Sequence, residues 1–265
     1  MSEKISCTVA VLTKDSATTL ERALRSVKDF AEILVCDGGS TDGTLEIAAR
    51  YGARIMPQNK AFLDVGGNIK DFAGVRNQTL TAATYEWFLY LDADEYFSPE
   101  FVQEIKSITA RPEPAAYWVP RRFVLSGVAV ERSIAYPNQQ MRLFHRGAVK
   151  GFRKPIHEHV ELLPNARVAR TVSAMFVPID TDLASQQRKT SRYITMELDR
   201  LSPLTLKTVI SIISGVCKLL VLYFFRLIRV YIFERGTRMP LLSDMQVVRY
   251  QTLLASRALR RYLTR

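Results

Sequence analysis

Six side chains in two short stretches have the types and the spacing to do chemistry. In Phe88-Leu89-Tyr90-Leu91-Asp92-Ala93-Asp94-Glu95 an apolar run gives way to three carboxylates within four positions. An apolar run closed by a polar cluster reads as a buried strand ending at a sheet edge. Carboxylates at the carboxyl end of such a strand point into the crevice where α/β sheets bind ligands. Asp92 and Asp94 repel each other unless a proton or a cation sits between them. Hard oxygen ligands suit Mg2+ or Mn2+, and Mg2+ commonly bridges few carboxylates to substrate phosphates. The alternative is a solvated acidic loop after a strand. The second stretch is Lys154-Pro155-Ile156-His157-Glu158-His159-Val160, where two of the chain's three histidines flank a glutamate. As a strand it turns His157 and His159 to one face and Glu158 to the other. The alternative here is a surface ladder. A zinc-protease signal is excluded, because that motif needs histidines at i and i+4 on a helix.

Those residues need elements to position them. Residues 5–13 read as a first strand, and Leu20, Ala23, Leu24 and Val27 then recur at helical spacing. A second strand over 31–36 runs into Asp37-Gly38-Gly39-Ser40-Thr41-Asp42-Gly43-Thr44, a turn with helix-starting residues. A helix through Leu45, Ile47, Ala48 and Ala49 leads to a short third strand over 53–56. Strand, helix, strand, helix, strand implies a parallel sheet with right-handed crossovers. Residues 57–67 read as a loop and 68–82 as a helix before the central strand. Ser98-Pro99 starts a helix carrying Phe101, Ile105 and Ile108, and Arg111-Pro112-Glu113-Pro114 ends it. From 115 to 178 the pattern shortens to an expected two to four strands, antiparallel in their pairing.

With 265 residues and 48% hydrophobic content, the chain is long enough for one large α/β domain with an appendage, and composition argues against global disorder. Its three cysteines, Cys7, Cys36 and Cys217, are odd in number and widely spaced, which argues against a disulfide framework or a zinc site. Cys7 and Cys36 sit in apolar runs, as buried thiols do. The first residues lead straight into a strand pattern, so no signal peptide and a cytoplasmic location are expected. The net charge of +11 is uneven. Residues 1–185 carry 22 Lys/Arg against 22 Asp/Glu, whereas 186–265 carry 15 against 4. That asymmetry suggests a polyanion or an anionic membrane as partner for the last 80 residues. Nucleic acid fits poorly, because the cations alternate with a membrane-grade apolar run rather than with exposed aromatics on a sheet.

From Gln186 onward the chain reads helical, and 204–233 is its most hydrophobic region. On a continuous helix Lys207, Lys218, Arg226 and Arg229 fall within an arc of roughly 100°. Three readings compete. The first is a flat interfacial helix, or a helix pair broken near Gly215, with its cations towards lipid phosphates. The second is a spanning helix of about 20 residues that tolerates Lys218. The third is a helix buried in a dimer or in the protein's own core. Residues 243–263 form a final basic helix, for which Ser243 and Gln246 suit a capping box.

Taken in order, Thr13-Lys14-Asp15, the Asp37–Asp42 turn, Gly74-Val75-Arg76-Asn77 and Leu91-Asp92-Ala93-Asp94-Glu95 closely resemble the motif series of family 2 glycosyltransferases. The resemblance covers roughly residues 5–160. It implies a GT-A fold, a Rossmann-like and mostly parallel sheet flanked by helices, here with a C-terminal helical, membrane-associating extension. The catalytic domain would be 1–185, with a nucleotide-sugar half about 1–97 and an acceptor half about 98–185, followed by the helical region 186–265. By the same likeness Thr13, Lys14 and Asp15 would lie beside the nucleotide. Asp37 would accept a hydrogen bond from the base, typically the N3–H of uracil; the alternative is an aspartate fixing its own turn. Arg76 would face the diphosphate, where a permanent fork of donors suits phosphate; the alternative is a cation on a helix surface. Asp92 would contact the ribose or the metal, and Asp94 would hold Mg2+ or Mn2+ on the diphosphate. Glu95 would orient the loop or the acceptor.

The segment around Glu158 resembles the His-Glu element of lipopolysaccharide core glucosyltransferase-like members, preceded as here by Arg142-Leu143-Phe144. That likeness implies Glu158 as general base and His157 as its neighbour or a metal or phosphate contact. The chain also departs from relatives. It has no Gln-x-x-Arg-Trp, the mark of processive synthases, so single-sugar transfer is expected. Where core-type relatives carry a histidine it has Pro178-Ile179-Asp180, so Asp180 or water would be the third metal ligand. The resulting expectation is an inverting, metal-dependent transferase using a UDP-sugar and an amphiphilic saccharide or lipid acceptor. It would work as a peripheral or monotopic protein at the cytoplasmic face of the inner membrane. A polyprenyl-phosphate sugar transferase is the near alternative. A non-catalytic nucleotide-binding membrane protein is the alternative of another class. A nucleotidyltransferase is disfavoured because Lys14-Asp15-Ser16-Ala17 is no Gly-rich loop.

Overall fold

The structure is a computed structural model that describes residues 3–111, 113–179 and 182–264, the side chains of 183–185 excepted. In chain order the strands are β1 (Ile5–Thr13), β2 (Phe30–Asp37), β3 (Arg54–Pro57), β4 (Trp87–Asp92), β5 (Tyr96–Phe97), β6 (Ala115–Leu125), β7 (Val128–Ala129), β8 (Gln139–His145), β9 (Val149–Arg153), β10 (His159–Leu162), β11 (Arg167–Arg170) and β12 (Met175–Pro178). The helices are α1 (Ala17–Ser26), α2 (Thr44–Arg50), α3 (Phe72–Ala82), α4 (Pro99–Thr109), α5 (Leu183–Arg200), α6 (Leu206–Ile228) and α7 (Leu241–Leu263). The chain divides into two compact units, one of residues 1–122 and 138–178, the other of 123–137 and 179–265.

The first unit is built on a sheet of order β3-β2-β1-β4-β8-β6-β12-β5, with β11 added alongside β6. β1 pairs in parallel with β2 and β4, and β2 with β3, as the alternation of strands and helices requires. β8 then runs antiparallel to both β4 and β6. The region 115–178 yields seven strands among the described residues rather than two to four, and β11 joins β6 in parallel. The extra strands are short, four residues in β10, β11 and β12, below the length at which alternation announces itself.

Two apolar layers cover the sheet. Val9, Val11, Leu89 and Leu91 pack with Leu20 and Leu24 of α1 and with Phe101 and Ile105 of α4. On the other face Ala10, Phe88 and Tyr90 pack with Ala73 of α3, Phe152 of β9 and Val160 of β10. Period two along β4 therefore places Tyr90 and Asp92 on the α3 side. The parallel register matches Thr13 to Asp37 and Leu12 to Asp92, so the strand ends that carry these residues lie level.

α3 opens at Phe72, four residues later than the apolar pattern suggests, because the Asp71 carboxylate caps it by accepting from Gly74 N–H at 2.9 Å. α4 starts as its residues dictate, with Ser98 accepting from Phe101 N–H and Pro99 in the first turn.

In the second unit α5, α6 and α7 share a small core of Ile194, Leu198, Leu204, Val209, Leu254 and Ala258. The β7 hairpin belongs to the same unit. The buried Asp244 of α7 accepts from the Ser133 hydroxyl at 2.5 Å, from Ile134 N–H at 3.2 Å and from the Tyr231 hydroxyl at 3.0 Å. α6 runs unbroken through Gly215 and changes only after Ile228, where 229–233 continue as a π-helical turn. α7 begins at Leu241 after Pro240, so the capping box expected at Ser243 and Gln246 does not form; both residues already lie inside the helix.

The basic stripe also differs from the helical projection. Lys207 and Lys218 stay exposed, but Arg226 turns in to donate to the Ile134 carbonyl at 3.1 Å. Within its own unit α6 buries only Val209 and Val216, so the core of that unit does not cover the helix. Ile210, Val221, Phe224 and Phe225 are each more than half exposed. The segment Leu206–Phe233 is the one described helix long and apolar enough to cross a membrane by length and composition.

Candidate active site

The carboxyl end of β4 gathers an alternating network of arginines and carboxylates. Arg76, on α3 and 3% exposed, pairs through Nη2 with Asp92 Oδ1 and through Nε with Glu158 Oε1 at 3.4 Å. Arg142, on β8 and 2% exposed, donates from Nη2 to Asp92 Oδ2 at 3.0 Å and to Glu95 at 3.1–3.2 Å. Arg121 of β6 pairs with Glu95 Oε1 from the other side. The guanidinium groups of Arg76 and Arg142 lie 4.4 and 4.3 Å from the ring centroid of Tyr90, a cation–π arrangement.

The motif Gly74-Val75-Arg76-Asn77 explains how Glu158 reaches this network. A Cβ at Gly74 would run into the Phe62 ring, so glycine lets the helix sit down on residues 60–62. Asn77 then grips β9, accepting from Phe152 N–H at 2.7 Å and donating to the Phe152 carbonyl at 2.9 Å. Phe72 N–H donates to the Pro155 carbonyl at 2.8 Å. The backbone of 152–155 is thereby fixed to the helix that carries Arg76, and Glu158 follows three residues on.

Burial opposes the charge on Asp92, but Arg142, Arg76 and Arg121 outweigh it and hold the carboxyl below the ordinary range. Glu95 is 1% exposed; burial pushes its carboxyl up and the Asp92 charge adds to that, against the pull of Arg142 and Arg121. Arg76 Nη1 and Arg121 Nε are buried with no hydrogen-bond partner among the described residues. Two unsatisfied guanidinium donors are costly, and an anion at the site would use them.

Thr13 donates its hydroxyl to Asp37 Oδ1 at 2.9 Å. Asp37 also accepts from the Ser40 hydroxyl at 2.5 Å and from Gly39 and Ser40 N–H at 2.8 Å each, so three of its four acceptor sites fix its own turn and the fourth ties that turn to β1. Lys14 Nζ donates to the Gly67 carbonyl at 2.6 Å, and Asp15 Oδ1 accepts from Thr41 N–H at 2.8 Å. Thr13 and Asp15 thus tie the end of β1 to the turn after β2, and Lys14 ties it to the loop at Gly67. Asp94 is exposed at the turn after β4, where Arg22 Nη2 donates to its backbone carbonyl at 3.3 Å. Asp180 lies outside the described residues. His157 is exposed and sits before the strand, with φ +53°; β10 begins at His159. The shared strand face expected for His157 and His159 is therefore absent, because the 155–157 bend breaks the alternation.

Sequence reasoning did not assign Arg121, Arg142 or Tyr90 to the site. A signal for Arg142 existed. A cation inside the apolar run Met141-Arg142-Leu143-Phe144 is buried only if carboxylates pair with it, and Asp92 and Glu95 are the carboxylates supplied. Among the described residues no three His, Cys, Asp or Glu side chains converge as a metal site. Both oxygens of Asp92 face guanidinium groups, a poor place for a divalent cation. The exposed carboxylate of Asp94 does suit one, as a single protein ligand beside phosphate oxygens.

The family profile described as glycosyl transferase family 2 matches residues 8–159, more than half of the chain and the whole of this network. The chain belongs to glycosyl transferase family 2. This family member is 35% identical over 154 residues to a TPR repeat-containing protein of Synechococcus elongatus, covering 58% of this chain and 35% of the relative. It is 25% identical over 210 residues to the lipopolysaccharide core biosynthesis glycosyltransferase LpsC of Rhizobium meliloti, covering 76% of this chain and 73% of that protein. The chain thus spans about a third of the length of the first curated relatives it matches and about three quarters of LpsC. The mannosyltransferase PcManGT of Pyrobaculum calidifontis, solved with GDP-Man and Mn2+, superposes with a TM-score of 0.51 at 14% identity, over 98% of this chain and 87% of that one. That likeness shows the fold, a GT-A-like mixed α/β sheet with helices on both faces.

Proposed function

We propose that this family 2 member is an inverting transferase that moves one sugar from a nucleotide-sugar, with UDP as the nucleotide, to an amphiphilic saccharide acceptor at an anionic membrane surface. The observation that carries the reading is Arg76, buried between Asp92 and Glu158 with one guanidinium nitrogen unpartnered. It joins a phosphate donor to a carboxylate base at the mouth of the sheet.

The acceptor oxygen attacks the anomeric carbon as the bond from that carbon to the diphosphate oxygen breaks. The electron pair leaves with the diphosphate, and the acceptor proton passes to Glu158. One displacement inverts the anomeric centre. Arg76 would stabilise charge growing on the diphosphate, held in place by Asp92 and by the Tyr90 ring. Thr13, Lys14 and Asp15 would shape the nucleotide crevice. Asp37 would take the base N–H in exchange for the Ser40 hydroxyl. Asp94 would hold Mg2+ or Mn2+; when bound, such an ion neutralises charge on the leaving group. The Mn2+ bound by PcManGT supports a divalent cation on this fold, without bearing on which residue holds it.

The membrane part of the proposal rests on charge and exposure together. Cationic Lys207 and Lys218 share the outward side of α6 with Ile210, Val221, Phe224 and Phe225. LpsC, a lipopolysaccharide core enzyme by its description, supports an amphiphilic acceptor, and the cytoplasmic face of the inner membrane would be the place of work. The alternative acceptor is a polyprenyl phosphate.

The test is nucleotide release from a panel of UDP- and GDP-sugars, with and without Mn2+ and membrane lipid extract. We expect release from a UDP-sugar, raised by lipid extract and lost in Arg76→Ala and Glu158→Gln. A chain that binds no nucleotide, or variants as active as wild type, would overturn the reading.

A further inference from the structure

A cavity lies beside the carboxyl end of β4. It holds about 370 Å3 within the first unit and abuts the candidate base. Its wall includes Tyr90, Trp118, Gln140, Glu158 and His159. The volume lies at the small end of ligand sites, enough for one sugar ring with water and too small for an extended lipid chain. A larger concavity of about 730 Å3 along α3 carries none of the site residues.

Three features of the wall define what it takes. Trp118 is 40% exposed, on the strand face opposite the buried Tyr117 and Val119. An indole left open beside a cavity offers a flat apolar face with a polar edge, the shape that the C–H face of a pyranose covers. Gln140, Glu158 and His159 supply donors and acceptors for ring hydroxyls. Among the described residues no lysine or arginine lines the cavity, so a phosphate inside it would find no guanidinium or ammonium on the wall.

We infer that this cavity binds an uncharged pyranose ring of the acceptor, stacked on Trp118, with one hydroxyl delivered to Glu158. The inference rests on the reading of Glu158 as the group that takes the acceptor proton. It selects a saccharide over a polyprenyl phosphate as the nucleophile. Trp118 is a binding residue in this account, and Gln140 and His159 choose among ring epimers by the hydroxyls they meet.

The full chain contains two tryptophans, and Trp87 is 5% exposed, so Trp118 dominates any change in emission on ligand binding. Intrinsic fluorescence is titrated with methyl pyranosides of glucose, galactose, mannose and N-acetylglucosamine, and with hexyl phosphate. Saturable change is expected with at least one pyranoside, none with hexyl phosphate, and no response in Trp118→Phe. Calorimetry should show Trp118→Ala weakening that pyranoside about tenfold while the Kd for the UDP-sugar stays put. Silence with every pyranoside, a response to hexyl phosphate, or a loss confined to the UDP-sugar, as when the ring bound is the donor's, each overturns the inference. UDP binding is measured on the same samples. Its absence with pyranoside binding intact would sink the donor reading alone.

Discussion

At the scale of single residues the site is held by charges that cannot be removed singly. Arg142 is 2% exposed and serves Asp92 and Glu95 at once. Replacing it with methionine removes the cation shared by two carboxylates and leaves Asp92 to Arg76 and Glu95 to Arg121, one positive charge short across the network, so Arg142→Met should lower stability by about 3–5 kcal/mol in urea unfolding. Adding Glu95→Gln should recover part of that loss, because the uncompensated charge goes with it. Glu158→Gln should lower kcat by about 10²–10⁴-fold while the nucleotide-sugar Kd is unchanged, since the amide keeps the contact and loses the base. Asp92 has a folded pKa below its unfolded value. Its ion pairs therefore add stability at every pH above the unfolded carboxylate range, about 3.9, and the contribution drains away as pH falls through the lower folded value. The stability gap between wild type and Asp92→Asn should be constant from about pH 7 to about pH 5 and narrow towards about pH 2.

At the scale of elements, α3 and α6 show opposite relations to sequence. The motif of α3 is legible because each residue answers one local need: Gly74 for close approach, Arg76 for the site, Asn77 for β9. The outward face of α6 is legible only as hydrophobicity, since period and composition do not say what covers it. Its cysteine reports on that face. Cys217 is exposed, whereas Cys7 and Cys36 are buried. Burial pushes the Cys36 thiol up to about 12, with the Asp37 charge adding, and raises Cys7 further. A maleimide at neutral pH should therefore label Cys217 alone in the native protein. Anionic vesicles should slow that labelling if α6 lies against lipid; labelling as fast as in buffer would place the face in water.

At the scale of the whole molecule the charge asymmetry sets the expected partner. The excess of cations falls within 186–265, in the same stretch as the exposed aromatic residues of α6. Association with vesicles containing anionic lipid should weaken as salt rises from about 0.05 to about 0.5 M, because screening shortens the reach of exposed charges. A residue of binding should survive the high salt and vanish in Phe224→Glu/Phe225→Glu, which removes the apolar contribution. Binding indifferent to both salt and these substitutions would remove the membrane from the account.

The sequence by itself determined the parallel half of the sheet and the strand end that carries Asp92, Asp94 and Glu95, because short-range signals such as apolar runs, turn residues and motif order are written locally. It could not determine that Arg142 and Arg121 close the network from β8 and β6, that His157 falls on a bend with Glu158 outside β10, or that Asp37 divides its lone pairs between its own turn and Thr13. Those facts depend on which strands pair and on where a buried charge finds its counter-charge. Only the folded chain brings residues 50 positions apart to 3.0 Å, as it does Asp92 and Arg142.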